Sequence, residues 1–364
     1  MGDTQRHATT REQSPPLRYR TPEHRRRAVR ETLDALRGSR RAILTTHLNA
    51  DGDGAGCEVA LAAWMRALGG RAWIVNPTPF PEMFRFLVPE EEWVLDAGSA
   101  EARDACAQAD LAVVLDTGEV PRIGRLRAMI EGVPTVVIDH HQPGKQPIGG
   151  VSLRDADACA TGELIHDVVL SSGGPWPRAT LEGIYVAILT DTGSFRFSNS
   201  TTHAHWIAAD LIADGVDPED LHRRIYGAAP LRRLRLLARA LATLEMDAEA
   251  GVAWMELPSE IDGVDPTAED VEGIVDYPRS VSGVEVGLLF RKTASGGTKI
   301  SFRANGAVDV NALAREFGGG GHIKASGALV ERPPAEVIPR VVEATRRAVR
   351  AAGLRPLGGA PHHH

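Results

Sequence analysis

The most constraining feature of this chain is a set of short apolar runs that each end in aspartate or histidine. Thr135-Val-Val-Ile, for example, leads directly into Asp139, His140 and His141, which are groups that the interior of a buried strand excludes. Four such runs precede these polar residues: His47, Asp51 and Asp53 after the first, Asp116 after the second, Asp139, His140 and His141 after the third, and Asp191 after the fourth. The carboxyl ends of the strands in an open α/β sheet form its ligand-binding edge, so we expect these residues to lie together.

Clustered carboxylates and imidazoles repel one another unless a cation lies among them. Alone, Asp51 or Asp53 would be a helix cap, and Asp116 would be a turn residue. His140 and His141 would similarly be a pair of core histidines. These separate explanations do not account for all four runs, so the sequence predicts a pair of divalent metal ions. The mixed oxygen and nitrogen donors suit manganese, with iron, cobalt, zinc and magnesium as alternatives, and two such ions indicate phosphoester hydrolysis.

Alternating helical and strand patterns predict an α/β fold with a largely parallel sheet in the N-terminal part. The predicted helices cover 26–38, 55–68, 160–171, 179–189 and 202–214, and the predicted strands cover 42–46, 72–76, 111–115 and 135–139. Asp191 is expected to follow a buried strand, although helical periodicity covers 179–189. Beyond residue 245 we predict a second, smaller α/β domain, with strands starting at Gly251, Val284 and Lys299 and helices at 309–316 and 335–351.

The length of 364 residues is too great for one core, so we expect two domains. The predicted divisions are a flexible tail over 1–24, a catalytic domain over 25–217, a helical linker over 218–244, a substrate-binding domain over 245–352 and a tail over 353–364. Pro230 interrupts the linker. The arginines between residues 18 and 30 are expected to lie on a solvated tail that runs into a surface helix.

Composition restricts the partners that this chain can have. A formal net charge of −7 argues against a long nucleic-acid track, because such a track needs a basic surface. No apolar stretch approaches the roughly 20 residues of a membrane span, and the first residues contain no apolar signal core. Three widely spaced cysteines suit a reducing compartment. We therefore expect a cytoplasmic protein without a membrane partner, and we leave open whether it forms a homodimer.

A glycine-rich segment in the second half is the second candidate site. Phe317 is followed by Gly318, Gly319, Gly320 and Gly321 and then by His322, and Arg303 lies on the preceding predicted strand. Consecutive glycine amides can form an anion-binding nest, although a flexible turn is the simpler explanation. With Arg303 and His322 nearby, we expect this segment to bind a phosphate or a sugar. The histidines at 166, 203, 205 and 222 are expected to be structural or exposed.

These residues resemble the DHH/DHHA1 phosphoesterase family over about residues 25 to 350, and the nano-RNase branch in particular. The motifs that carry the resemblance are His47-Leu-Asn-Ala-Asp51-Gly-Asp53, Leu115-Asp116-Thr-Gly, Asp139-His140-His141, Thr190-Asp191-Thr-Gly-Ser-Phe-Arg-Phe-Ser and Phe317-Gly-Gly-Gly-Gly-His322. The resemblance implies an N-terminal DHH domain that carries two manganese ions and a C-terminal DHHA1 domain that binds substrate. Asp276 departs from the family pattern, which has asparagine at that position.

The resemblance also implies a role for each residue. One ion would be bound by His47, Asp51 and Asp116. The other would be bound by the set Asp53, Asp116, His140 and Asp191. His141 would contact the scissile phosphate, supported by Asp139. The expected substrates are short RNA oligonucleotides and small nucleotides such as 3'-phosphoadenosine 5'-phosphate. A phosphodiesterase for cyclic di-AMP or linear dinucleotides is the alternative within the enzyme class, and a catalytically silent nucleotide-binding module is the alternative outside it.

Overall fold

A computed structural model of the chain describes residues 19–227, 230–260, 266, 268–271, 273–321 and 323–353. The chain forms two compact units, residues 1–228 and 229–364. The first contains an all-parallel sheet and the second contains a mixed sheet, both with helices, so the predicted α/β fold class is confirmed. No helix within the described ranges is long and apolar enough to cross a membrane.

The first unit is built around a six-stranded parallel sheet with the strand order β3-β2-β1-β4-β5-β6. Its strands are β1 Arg41–Thr45, β2 Arg71–Asn76, β3 Val94–Asp96, β4 Leu111–Leu115, β5 Thr135–Asp139 and β6 Val151–Arg154. Its helices are α1 Arg26–Gly38, α2 Gly52–Ala67, α3 Ala100–Ala107, α4 Leu126–Met129, α5 Thr161–Ser172, α6 Arg178–Asp191, α7 Thr202–Ala213 and α8 Pro218–Tyr226. Every residue of β4 is buried, as expected for a central strand covered on both faces.

Helices cover both faces of this sheet. On one face, Leu44 and Val113 pack into a core that includes Trp64 of α2 and Ile184 of α6. On the other face, the smaller core around Ile43 includes residues of α3 and α4. Because parallel strands connected by helices end at the same edge, the residues that follow β1, β4 and β5 converge there.

The close packing of α2 on α6 depends on glycine. A Cβ atom at Gly56 would lie 2.5 Å from the carbonyl oxygen of Gly183, and a Cβ atom at Gly183 would lie 2.5 Å from that of Gly56. The backbones of the two helices therefore approach each other where neither residue has a side chain. This contact holds the start of α2 and the end of α6 close together, and both carry predicted metal ligands.

Several sequence-based expectations need correction. Asp191 is the last residue of helix α6 and does not follow a strand, so the helical periodicity over 179–189 was the correct signal. The edge strands β3 and β6 were not predicted, because they contain only 3 and 4 residues. The predicted linker over 218–244 contains α8, which belongs to the first unit, and a helix of the second unit.

The arginine-rich N-terminal segment is not entirely solvated. Tyr19 is 4% exposed and Arg25 is 3% exposed. Arg25 contacts the buried carboxylates of Glu163 and Asp167 on α5. The expectation of a solvated tail is therefore wrong for these two residues, and residues 1–18 lie outside the described part of the chain.

The second unit contains a six-stranded mixed sheet in the order β11-β12-β10-β9-β8-β7, in which β8 and β9 are parallel and the other neighbours are antiparallel. Its strands are β7 Glu245–Asp247, β8 Val252–Leu257, β9 Val286–Lys292, β10 Thr298–Ala304, β11 Gly320–Gly321 and β12 Ala325–Val330. Its helices are α9 Leu231–Leu241, α10 Ala268–Val271, α11 Asp276–Arg279, α12 Val310–Arg315 and α13 Pro334–Ala351. Residues of α12 and α13 pack around Phe290 and Phe302, while Leu236 of α9 packs with Met255 and Leu289.

His166 on α5 is a buried histidine that makes stability depend on pH. Burial lowers its pKa from 6.5 to about 4. Between these values the unfolded chain binds a proton that the folded chain excludes, so stability falls as the pH falls through this window. The full effect is on the order of 3 kcal/mol.

We therefore predict that the substitution His166→Phe reduces the loss of stability between pH 7.5 and pH 4.5 by about 2 to 3 kcal/mol relative to the unmodified chain. Urea unfolding at both pH values measures this difference. The matched control is His222→Gln, since His222 is exposed. An identical pH dependence in His166→Phe and the unmodified chain would contradict the assignment.

Candidate metal centre

The loop between β1 and α2 supplies the first group of candidate ligands. Asp51 is the N-cap of α2, and its Oδ1 accepts hydrogen bonds from the amides of Asp53 and Gly54 at 3.1 and 3.2 Å. Its other oxygen, Oδ2, lies 3.9 Å from Nε2 of His47. Asp51 therefore caps the helix and still presents one oxygen to the site, so the two interpretations of this residue are compatible.

His47 is held by its own loop. Its Nδ1 lies 2.9 Å from the carbonyl oxygen of Leu48, which makes Nδ1 the donor and leaves the Nε2 lone pair directed at the carboxylates. Nε2 lies 3.3 Å from Oδ2 of Asp116, yet it is buried and has no hydrogen-bond partner. In the neutral ring this Nε2 atom cannot donate to the carboxylate oxygens that it faces, and a cation bound between them would satisfy both.

Asp116 lies at the centre of the cluster. It follows the buried strand β4 and has a backbone φ of +56°, which is uncommon for residues other than glycine and is most tolerated by asparagine and aspartate. Its two oxygens have different neighbours. Oδ2 faces His47, while Oδ1 lies 3.6 Å from both Nε2 of His140 and Nδ1 of His141. The carboxylate therefore stands between two groups of candidate ligands.

Asp53 is almost fully buried and is fixed by the N-terminus of α5. Its Oδ2 accepts the Thr161 amide at 2.7 Å, and its Oδ1 accepts the Gly162 amide at 3.0 Å. The hydroxyl of Thr161 also donates to Oδ1 of Asp116 at 2.9 Å. The free N–H groups at the start of a helix are favourable partners for carboxylates. One helix terminus thus orients two of the candidate ligands.

His140 and Asp191 complete the second group. Nε2 of His140 lies 3.6 Å from Oδ2 of Asp53 and 3.8 Å from Oδ2 of Asp191. Its Nδ1 lies 3.3 Å from the carbonyl oxygen of Ala158, which leaves Nε2 facing the carboxylates. Asn199 donates its side-chain amide to Oδ2 of Asp191 at 3.0 Å. Each member of this group is therefore oriented by a polar contact outside it.

His141 has a different environment from His140. Its Nδ1 lies 2.9 Å from Oδ1 of Asp139, which also accepts the backbone amide of His141 at 3.1 Å. These hydrogen bonds lower the pKa of Asp139 although burial opposes the charged form, so Asp139 remains anionic. With Nδ1 as the donor to Asp139, the Nε2 atom of His141 is left for another partner.

The electrostatics of the cluster fit a bound cation. Burial raises the pKa of Asp53 well above its usual range, and the charge of Asp116 raises it further. Burial likewise raises the pKa of Asp116, with the charge of Asp51 adding to the rise. Among the described residues there are three groups in which the potential ligand atoms all lie within 4.8 Å of one another. These groups are Asp116, His140 and His141; His47, Asp51 and Asp116; and Asp53, His140 and Asp191. This arrangement can hold divalent metal.

The candidate substrate residues lie in the second unit. Arg303 on β10 is half-buried, and burial lowers the pKa of its guanidinium, opposed by the negative charge of Asp276. Asp276 itself lies 3.0 Å from Nη2 of Arg279. The extra carboxylate at position 276 is therefore already paired with an arginine. His322 lies outside the described residues.

The four glycines have a clear structural role. Gly318 has a φ of +75°, and a Cβ atom at Gly319 would lie 2.1 Å from the carbonyl oxygen of Gly327 on β12. Three of the amides, those of Gly318, Gly319 and Gly321, donate to Arg315 O, Ala314 O and Asn311 Oδ1. These three N–H groups are used within the unit, so the glycines serve first to let β11 approach β12 closely.

Sequence reasoning missed the residues that orient the ligands. Thr161, Gly162 and Asn199 were not among the candidates, although all three contact predicted ligands. The available signal was weak. A threonine and a glycine at the start of a predicted helix are common, and their contacts with Asp53 span more than a hundred residues of sequence.

Comparison with known proteins agrees with the motifs. The model of the DHH family, N-terminal domain, matches residues 41–188, and that of the DHHA1 domain matches residues 252–351. The chain is 31% identical over 330 residues to the bifunctional oligoribonuclease and PAP phosphatase NrnA of Thermus thermophilus, covering 90% of this chain and 95% of that protein. The chain belongs to the DHH/DHHA1 family. The resemblance predicted from the motifs is thereby confirmed.

Two further relatives support this membership and the fold. A probable bifunctional oligoribonuclease and PAP phosphatase NrnA of Streptococcus mutans is 28% identical over 287 residues, which cover 79% of this chain and 88% of that protein. The crystal structure of an exopolyphosphatase-related protein from Bacteroides fragilis superposes with a TM-score of 0.84 at 23% identity, covering 90% of this chain and 98% of that one. Because the sequence identity to the Bacteroides fragilis protein is only 23%, this superposition shows that the two proteins share a fold and nothing more.

The burial of Asp116 among other carboxylates leads to a stability prediction. In the metal-free protein, Asp116→Asn removes a buried carboxyl group whose ionisation is opposed by burial and by the charge of Asp51, and its amide can donate to the unpartnered Nε2 of His47. We expect this variant to be more stable than the unmodified chain by about 1 to 2 kcal/mol when a chelator is present. We also expect it to lose most of the stabilisation that Mn²⁺ gives the unmodified chain, about 3 kcal/mol at a hundredfold excess over Kd.

Urea unfolding with EDTA and with Mn²⁺ measures both effects. Asp104→Asn is the control, because Asp104 is exposed on α3. Equal stabilisation of Asp116→Asn and the unmodified chain by Mn²⁺ would contradict a metal site at Asp116.

Proposed function

We propose that the chain is a metal-dependent phosphoesterase that hydrolyses short oligoribonucleotides to mononucleotides and dephosphorylates 3'-phosphoadenosine 5'-phosphate. The observation that carries this proposal is the convergence of three overlapping groups of ligand atoms at one sheet edge, with Asp116 belonging to two of them. The names of the NrnA relatives support the choice of substrates. The negative net charge supports short substrates, because a long strand needs a basic surface.

The proposed centre holds two divalent ions, with manganese as the preferred metal. One ion is bound by His47, Asp51 and Asp116. The other is bound by the four side chains Asp53, Asp116, His140 and Asp191. Asp116 is the shared ligand, which agrees with the different neighbours of its two oxygens. Two such ions supply an activated water and neutralise charge on the phosphoryl oxygens.

The protein's own groups position the phosphate and the protons. Asp139 fixes the orientation of His141 by accepting from Nδ1, so that Nε2 of the protonated ring can donate to an oxygen of the scissile phosphate. Because Asp139 stays anionic, it also stabilises the imidazolium if His141 carries a proton to the leaving oxygen. We therefore propose Asp116, Asp139 and His141 as the catalytic group.

The second unit is proposed to supply additional substrate contacts. Arg303 can pair with a phosphate through its planar guanidinium, and His322 is proposed to assist it. Since three of the glycine amides are used internally, the segment Gly318, Gly319, Gly320 and Gly321 would contribute mainly by letting a ligand approach the backbone closely. These groups would contact a phosphate or a sugar of a short substrate.

We predict that a dinucleotide is hydrolysed at least tenfold faster than a 20-residue RNA when Mn²⁺ is present, because the net negative charge of the protein repels the many phosphates of the longer strand. An assay that offers the dinucleotide, the 20-residue RNA, phosphoadenosine phosphate and cyclic di-AMP in parallel measures this preference. Preferential cleavage of cyclic di-AMP would favour the alternative phosphodiesterase. Mn²⁺ binding without cleavage of any substrate would indicate a silent nucleotide-binding module.

The same assay tests Arg303. Arg303→Ala should raise KM for the dinucleotide by about 10- to 100-fold, since a hydrogen bond to a charged group contributes about 1.5 to 3 kcal/mol. The bound Mn²⁺ should stay unchanged. Arg332→Ala is the matched control, because Arg332 is exposed in the same unit. Unchanged kinetics in Arg303→Ala would remove Arg303 from the proposed site.

A further inference from the structure

One short segment contacts three of the six proposed metal ligands from outside the centre and reaches a fourth through Asn199. Residues 155–163, which we call the collar, run from the end of β6 into the first turn of α5. The collar orients Asp53 through the amides of Thr161 and Gly162, and Asp116 through the hydroxyl of Thr161. A single stretch of chain therefore forms the surroundings of Asp53 and Asp116 on the side of α5.

The collar also reaches the two remaining ligands of the second group. The carbonyl oxygen of Ala158 lies 3.3 Å from Nδ1 of His140. The carbonyl oxygen of Cys159 accepts the side-chain amide of Asn199 at 2.8 Å, and this same amide donates to Asp191. Every proposed ligand of the second ion is thus oriented by the collar, directly or through Asn199.

The start of the collar is connected to the residue that orients His141. The amide of Asp155 donates to the carbonyl oxygen of Asp139 at 3.2 Å. Within the collar, the carboxylate and the carbonyl of Asp155 accept the amides of Asp157 and Ala158, which forms a tight turn. A shift of this turn would move the carbonyl group that faces His140.

Arg25 joins the two ends of the collar from its outer side. Its Nε donates to Asp155 at 2.5 Å, and its Nη1 donates to Glu163 at 2.7 Å and to Asp167 at 3.0 Å. The other oxygen of Glu163 accepts the amide of Cys159 at 3.0 Å. One guanidinium therefore fixes the first and last residues of the collar relative to each other.

Because the arginine and its carboxylate partners are buried, the stability of the fold depends on keeping them paired. Arg25 is 3% exposed, and Glu163 and Asp167 are fully buried. Carboxylates in such a position are strongly destabilising when their cation is removed. Lysine would keep the charge, but it lacks the planar fork that allows arginine to contact several carboxylates at once. His24 and His203 lie at the exposed margin of this cluster, next to Asp155 and Glu163 respectively.

We propose that Arg25 is a positioning residue for the metal centre. By fixing both ends of the collar, it holds the backbone groups that orient Asp53, His140 and, through Asn199, Asp191, together with the Thr161 hydroxyl that orients Asp116. Groups that orient metal ligands set metal affinity, and the loss of one that contacts a ligand directly typically weakens binding about 10- to 100-fold. Arg25 acts on several such groups at once through the collar. The inference rests on the proposed metal centre, and it assigns a role in the centre to a residue of the N-terminal arginine-rich segment.

The test is a direct measurement of Mn²⁺ binding by the full-length chain, by calorimetry and by the electron paramagnetic resonance of Mn²⁺. The variants are Arg25→Met and Arg25→Lys. Arg27→Met is the matched control, since Arg27 is exposed in the first turn of α1, two residues after Arg25. We expect Arg25→Met to raise the Kd for Mn²⁺ about 10- to 100-fold, Arg25→Lys to give an intermediate value, and Arg27→Met to leave it unchanged.

Measuring the turnover of the variants distinguishes a positioning role of Arg25 from a general loss of stability. If Arg25 acts through the ligands, raising the Mn²⁺ concentration should restore most of the turnover of Arg25→Lys. If Arg25→Met does not fold, Asp155→Asn replaces it, because this change weakens the same contact without removing the buried cation. Folded variants at Arg25 and Asp155 that bind Mn²⁺ as tightly as the unmodified chain would overturn the proposal. An unmodified chain that binds no Mn²⁺ would instead overturn the metal centre itself, and with it the proposed function.

Discussion

The arrangement of polar groups in the first unit depends on one constraint, which is that several buried carboxylates lie close together. Asp53 and Asp116 are each 1% exposed, and Asp191 lies beside them. Mutual repulsion and burial both oppose their ionised forms, so the fold must supply oriented partners, and the centre must acquire positive charge to keep them anionic. The helix terminus at Thr161, the amide of Asn199 and the two imidazoles of His47 and His140 are consistent with this requirement. A site with this cost to stability is retained where it serves a function.

The parallel sheet explains why these groups meet. The chain leaves β1, β4 and β5 at the same edge, and the starts of α2 and α5 bring helix N-termini to that edge. Close packing between α2 and α6 at Gly56 and Gly183 then places Asp191, at the end of α6, opposite the start of α2. Helix termini and strand ends thus contribute to one centre, although they come from distant parts of the sequence.

Sequence was sufficient for the fold class, the family and the convergence of polar residues, because strand ends and motif spacing are local signals. It was insufficient where tertiary packing decides. Asp191 ends a helix, whereas a strand was expected, because an apolar run of that length fits either element until its packing is known. The burial of Arg25 could not be predicted, since its carboxylate partners lie more than 120 residues away. The glycine segment has an evident packing role that composition alone does not distinguish from an anion nest.

The most direct test of the central claim is anomalous diffraction at the manganese absorption edge from crystals grown with Mn²⁺. The account predicts two peaks, roughly 3.5 to 4 Å apart, with Asp116 between them. His47 and Asp51 would lie beside one peak, and the set Asp53, His140 and Asp191 would lie beside the other. A single peak at this edge of the sheet, or peaks only elsewhere on the protein, would contradict the dinuclear centre.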